Sequence, residues 1–258
     1  MTERDKSDYT EYERRVLREL DVWRGEMLER PSLINWAAQR VQAKVNSYIP
    51  EKVHETLTTV IKQMTRAVLT GSNYSAPPIL VDASLEERDA RATERIEFYM
   101  KAGAVEGGIT GAGGIFLGLA DFPLLLGIKL KLQFELAALY GHSGDDFRER
   151  LYILYLFQLA FSSHEQRRKC YLDIEDWDER GKHLPQTVET FDWRTFQQEY
   201  RNYIDLAKLV QLVPIIGAPV GALVNHRLLG KLGATARNGY RQRWLKLEAK
   251  SQSLVVRG

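Results

Sequence analysis

The sequence predicts an all-α fold: a single helical bundle of amphipathic helices with two glycine-rich apolar helical hairpins packed together. Three observations lead there. Apolar residues recur every three or four positions through most of the chain, which is the helical period. No alternation of strand-like and helix-like units appears, which argues against a parallel sheet. Two long uncharged runs carry glycine at four-residue steps, which lines the glycines along one helix face. With 258 residues, 44% hydrophobic and 27% charged, the chain has the material for a sizeable core and is not a disordered sequence.

The elements follow in order. Tyr9, Tyr12, Val16, Leu20, Trp23 and Met27 form one helical face within 9–30. Pro31 stops that helix and Ser32 caps another, along which Leu33, Trp36, Ala37, Val41, Val45 and Tyr48 repeat the spacing. Pro50 suits a first helical turn, and Val53, Leu57, Val60, Ile61, Met64, Ala67 and Val68 make the next face, ended by Gly71. GSNYSAPPILVDA reads as a loop, and Ser84 with Glu87 as a capping box for the helix after it. We expect residues 1–50 to supply N-terminal amphipathic helices and 51–258 the main helical domain, folded with them as one unit.

IKLKLQFEL at 128–136 alternates apolar and polar residues as a strand does. A helix through Leu125, Ile128, Leu132, Leu136 and Leu139 fits the same letters. We assign helix, because Asp121 can cap it, Pro123 sits in its first turn and Gly141 can close it at C′. Asp145 or Asp146 can cap the next helix, through LYILYLFQLAF, whose nearly unbroken apolar run implies burial on most sides. A polar, acidic loop is expected at about 164–190. Trp193, Phe196, Tyr200, Tyr203, Leu206 and Leu209 or Val210 then lead into the second apolar run.

The two runs are free of charge over 107–120 and 209–225. Gly103, Gly107 and Gly111, then Gly114 and Gly118, then Gly217 and Gly221 keep the four-residue step that lets another helix approach closely. Each run is near the shortest length that spans a bilayer, roughly 17–20 residues. Both are interrupted by glycine or proline, and Asp121 at a bilayer centre would cost roughly 3 kcal/mol. The runs therefore read either as close packing within a soluble fold or as a pair apposed to, or partly inserted in, a membrane. Whether 107–126 and 209–225 enter the bilayer stays open at this level.

Charge is unevenly placed. Residues 171–192 hold seven acids against Arg180 and Lys182, and 226–258 hold eight Lys/Arg against Glu248. One reading of both is solvated surface; the sharper reading makes Arg227, Lys231, Arg237, Arg241 and Arg243 lipid-facing cations that touch anionic headgroups. A net charge of +2 argues against a dedicated nucleic-acid binder. Cys170 is the single cysteine, so an internal disulfide is excluded and a reducing cytoplasm fits. The densely charged start MTERDKSDYTEYERR lacks the apolar stretch of a secretory signal.

The search for chemistry returns little. GAGGIFLG lacks the Gly-Lys-Ser/Thr end of a phosphate loop, and GHSG is one residue short of a nucleophile elbow. The histidines are scattered and no metal spacing occurs, so no metal or cofactor is expected. Asp121 is the acid of interest, first as a helix cap and second as a group with Glu106 and Glu135 facing the same space and Lys129 or Lys131 to neutralise them.

The same residues carry a resemblance. GAGGIFLGLADFPLLLGIKLKLQFELAALYG resembles the signature of the EcsC family, and VPIIGAPVGALVNHRLLGKLG with the closing RQRWL resembles its second block. Asp121, Pro123, Tyr140, Gly141, Gly217, Gly221 and Trp244 match that pattern, while His142 stands where it has an aromatic residue after Tyr-Gly. The resemblance implies an association with ABC-type exporters and assigns no catalytic residue. The expected function is a non-enzymatic, membrane-associated helical protein at the cytoplasmic face, acting with a membrane partner such as an ABC transporter. A hydrolase centred on Asp121 and a soluble binder of lipid or another apolar ligand are the alternatives.

Overall fold

The computed structural model describes residues 9–29, 51–71, 77–111, 122–179, 184–185, 187–192, 194–196, 198–200 and 217–255. Among them there is no strand; the helices are α1 (Glu11–Leu28), α2 (Glu51–Thr70), α3 (Leu85–Gly111), α4 (Phe122–Leu139), α5 (Phe147–Phe161), α6 (His164–Glu175) and α7 (Gly217–Val255), with one 3-10 turn at Val188–Thr190. The helix expected at 33–48, Asp121, Gly114 and Gly118 lie outside the described residues.

Local chemistry explains where the helices begin and end. Thr10 caps α1 through a capping box, its Oγ1 accepting from Glu13 N at 3.2 Å while Glu13 Oε2 accepts from Thr10 N at 2.7 Å. Val16, Leu20 and Trp23 then face the core. Gly71, with φ +72°, turns the chain after α2. Ser84 Oγ accepts from Glu87 N at 3.2 Å to start α3, and Asp146 Oδ1 accepts from Arg148 N at 2.9 Å to start α5. At the end of α4, Gly141 takes φ +90°, which lets its N–H reach Ala138 O at 3.1 Å and the His142 N–H reach Ala137 O at 2.9 Å. This pair of bonds closes the helix as a Schellman motif, which needs the left-handed conformation that glycine adopts without strain.

Residues 128–136 are helical, within α4. Lys129, Leu130, Leu132, Gln133, Phe134, Leu136, Ala137 and Ala138 are all buried, so this helix is covered around most of its circumference. A helix buried on most sides has no polar face to show a clean 3.6-residue period, which is why its letters resemble a strand. The expected loop at about 164–190 needs correction: α6 occupies its first 12 residues, resting on Cys170, Tyr171 and Ile174. That stripe is too narrow to stand out among charged neighbours.

The spine of the bundle is α7, 39 residues and roughly 58 Å long at 1.5 Å per residue. It runs antiparallel to α3, its most extensive partner. Ile96 lies against Gly233, Met100 against Gly230, and Gly103 against Leu229 and Asn225. Polar pairs continue the register, with Arg237 on Thr93 and Arg241 on Asp89. Helix α4 also runs antiparallel to α3, through Arg95–Glu135 and Tyr140–Asp89. Residues from α1 to α7 contribute to one buried cluster. Full burial of a side chain such as Leu132 or Phe134 contributes about 1.5–3 kcal/mol.

Candidate functional site

The register of α3, α4 and α7 gives the bundle two chemically different ends. At the first, Asp89 of α3 is 2% exposed. Its carboxylate accepts from Tyr12 OH of α1 at 2.6 Å, from Arg241 Nε of α7 at 2.7 Å and from Tyr140 OH just past α4. Arg241 Nη1 also reaches Glu19 Oε2 at 2.9 Å. Burial opposes the Arg241 charge, but the bond to Asp89 and its charge outweigh that cost and raise the guanidinium pKa. Burial, and then the Asp89 charge, holds the Tyr140 phenol well above its usual range. Four helical segments are tied here to one carboxylate that faces donors rather than solvent, an arrangement suited to clamping and not to proton transfer with a substrate.

A second network lies beside it. Arg243 Nη1 sits 2.6 Å from Glu149 Oε1, while its Nε and Nη2 engage Asp178 at 3.3 and 3.1 Å. The guanidinium covers the Tyr152 ring at 5.0 Å, a favourable cation–π placement. The His142 ring stacks on Tyr240 at 5.5 Å, so this histidine fills the place of an aromatic residue. Burial, and after it the Arg243 charge, lowers the His142 pKa to about 3. Burial raises the Glu149 pKa against the opposing pull of Arg243. Further out, Lys246 bonds Asp176 at 3.2 Å and the Glu175 carbonyl, and Arg24 bonds Glu175 at 2.7 Å.

The basic series on α7 is therefore not one lipid-facing surface. Arg241 is 5% exposed, Arg243 is spent on Glu149 and Asp178, and half-buried Arg237 donates to Thr93 Oγ1 at 3.0 Å. The lipid-facing role expected of Arg241 and Arg243 is corrected on these contacts. Only Arg227 and Lys231 of the series are exposed. The acids at 171–192 and the bases at 226–258 meet each other, a complementarity that the charge tally contained but that sequence distance hid.

At the opposite end, Asn225 of α7 donates to Glu106 Oε2 of α3 at 3.4 Å. Gly103 lies against Leu229 and Gly221 is buried; Gly107, Gly111 and Gly217 are helical. Val105, Leu124 and Leu223 expose 67%, 57% and 48% of their surface here. Pro123 occupies the first turn of α4 and is exposed. Glu135 does not join Glu106: Arg95 holds it at 2.6 Å and Tyr99 at 2.7 Å. Lys129 does not neutralise it either; buried, it reaches Tyr200 OH at 3.3 Å. Among the described residues no group of three or more His, Cys, Asp or Glu is placed to hold a metal ion.

The sequence model of the EcsC protein family matches residues 14–245. The chain is 44% identical to Protein EcsC of Bacillus subtilis (strain 168) over 232 residues, 90% of this chain and 95% of that protein. It is 30% identical to Uncharacterized protein YdbA of the same organism over 142 residues, 55% of this chain and 52% of that protein. No solved structure matches.

Proposed function

The chain belongs to the EcsC protein family, and we propose that it is a non-enzymatic helical protein that docks on the inner face of the cell membrane and acts there with a membrane partner such as an ABC transporter. One observation carries the reading. The antiparallel register of α3 and α7 sets the end of one helix beside the start of the other, at Gly103–Leu229 and Glu106–Asn225. The described parts of the two uncharged runs, 107–111 and 217–225, thus lie toward one pole of the bundle, the end where Val105, Leu124 and Leu223 are exposed. Grouped apolar surface at one end of a protein marks an interaction site.

Among the described residues no helix is long and apolar enough to cross a membrane; the reading is of apposition or shallow insertion. The transporter partner rests on the family resemblance. The hydrolase alternative centres on Asp121 with a nearby acid, histidine or bound metal; of the two acids expected to face it, Glu135 is engaged by Arg95 and Tyr99.

Two measurements test the proposal: fractionation of cells in low and high salt, and flotation of the purified chain with vesicles of phosphatidylcholine and phosphatidylglycerol. We expect the protein with membranes at low salt and partly released at high salt. Protein that stays in the supernatant in both salts and floats with no vesicle overturns the reading.

A further inference from the structure

Helices α3, α4 and α7 each carry an exposed apolar residue at the Glu106–Asn225 end of the bundle: Val105, Leu124 and Leu223. Each also carries an exposed cation: Lys101, Lys131 and Arg227. Lys101 lies four residues before Val105, Lys131 seven after Leu124 and Arg227 four after Leu223. Steps of four and seven return to the same side of a helix, so every cation stands on the face of its own apolar residue. Along the axis the two are separated by roughly 6 Å on α3 and α7 and roughly 10 Å on α4.

The order of each pair follows the direction of its helix. Contacts fix that direction: Glu135 of α4 meets Arg95 and Tyr99 of α3 at 2.6 and 2.7 Å, and Gly103 of α3 abuts Leu229 of α7. Helix α3 runs toward this end, and its cation precedes its apolar residue. Helices α4 and α7 run away from it, and their cations follow. All three cations therefore lie on the inward side of the apolar tips, on three helices that contact one another. No salt bridge among the described residues involves Lys101, Lys131 or Arg227. The acid of α4, Glu135, is held by Arg95 and Tyr99, and that of α7, Glu248, lies far along the helix. Near Lys101, α3 has Glu97 one turn before it and Glu106, which accepts from Asn225.

We infer that Lys101, Lys131 and Arg227 form a collar that binds the phosphates of anionic lipids while Val105, Leu124 and Leu223 enter the acyl boundary beneath them. This rests on the membrane reading above and adds to it an orientation, a depth and a lipid class. Interfacial proteins bury their apolar surface roughly 5–10 Å into the headgroup and acyl boundary, which matches the step from tip to cation. Lysine and arginine stems lie along apolar surface and carry their charge outward, so the three cations reach one phosphate level despite the longer step on α4. A second copy docked on this end about a two-fold axis would set like-charged collars against each other. An anionic leaflet instead offers phosphates to all three. The bundle then meets the membrane end-on, with the Asp89–Arg241 pair at the far side.

The test is co-sedimentation of the full chain with phosphatidylcholine vesicles, with and without phosphatidylglycerol, and with native membranes. Lys101→Gln/Lys131→Gln/Arg227→Gln is compared with Arg15→Gln/Arg18→Gln/Arg91→Gln, which removes the same charge from exposed positions near Asp89. Arg91 is 14 residues from Val105, roughly 20 Å along α3 and beyond the screening length of about 8–10 Å. Each basic side chain near an anionic surface contributes about a factor of five. The collar variant is therefore expected to bind phosphatidylglycerol vesicles on the order of 100-fold more weakly, and the far-end variant less than about twofold. Lys131→Gln alone is expected to lose about fivefold, and urea midpoints that match the wild type show that all variants are folded. Equal losses in the two triple variants, or wild-type binding indifferent to phosphatidylglycerol, overturn the collar and leave membrane binding standing. Binding to native membranes but to neither vesicle gives this end to a membrane protein and also overturns the collar. A wild-type chain that binds neither vesicles nor native membranes sinks the membrane reading itself. If that chain is instead a dimer that Leu124→Glu dissociates, the apolar end belongs to a second copy.

Discussion

Arg241 shows how much one buried charge can decide. It is held by Asp89 at 2.7 Å, and removing one member of a buried pair leaves the other uncompensated. Arg241→Met is expected to destabilise the protein by about 3–5 kcal/mol in urea unfolding, and Asp89→Leu/Arg241→Met to recover part of that. A loss below about 1 kcal/mol for Arg241→Met would show that the two tyrosines satisfy Asp89 without it. His142 makes a pH prediction. Its pKa is about 3 in the folded protein because of burial and then Arg243, against about 6.5 unfolded. Between these values the unfolded chain binds a proton that the folded chain does not. Stability therefore falls as pH drops from about 6.5 toward 3, by at most about 1.4 kcal/mol per unit from this residue. Glu149, raised by burial, acts in the opposite sense, losing stability as pH rises above its unfolded value. His142→Phe, which keeps a ring against Tyr240, is expected to flatten the decline in urea midpoint between pH 7 and pH 5.

Between helices, glycine acts according to what faces it. A Cβ at Gly233 would meet Ile96 Cγ1 at 2.6 Å and Cγ2 at 2.8 Å. A β-branched side chain cannot rotate both branches away, so the helices must part. Gly233→Ala is expected to cost about 1–3 kcal/mol despite the better helix propensity of alanine. Gly25 in α1 has nothing within 4 Å of such a Cβ, so Gly25→Ala is expected to stabilise by about 0.5–1 kcal/mol. Equal effects at both positions in thermal unfolding would show that the α3–α7 contact yields easily. The four-residue step drew attention to Gly103, which does abut Leu229. It passed over Gly230, Gly233 and Gly239, which meet Met100, Ile96 and Leu156. Those three glycines keep no regular interval, because the neighbours that crowd them belong to two helices, α3 and α5.

The molecule is polar along its length. One end is stapled by Asp89–Arg241 and Glu149–Arg243, and the other presents Val105, Leu124 and Leu223 beside Arg227 and Lys231. Exposed substitutions cost little stability, generally within about 0.5 kcal/mol. Val105→Glu/Leu223→Glu is therefore expected to leave the urea midpoint unchanged while lowering vesicle flotation several-fold. Flotation undiminished in that variant would move the docking surface elsewhere.

By itself the sequence determined the helical class and many of the helix limits. Ser84, Asp146, Gly71 and Gly141 act through hydrogen bonds or backbone angles within a few residues, so their effect is written locally. It also carried the two apolar runs, since lack of charge is a property of the letters. Which charges stay in water was decided only by the tertiary structure. Arg237, Arg241 and Arg243 lie on α7 with Arg227 and Lys231, yet the first three meet Thr93, Asp89, Glu149 and Asp178, 65 to 152 residues away. A side chain's chemistry is local, whereas its desolvation and its partner depend on which helices pack together.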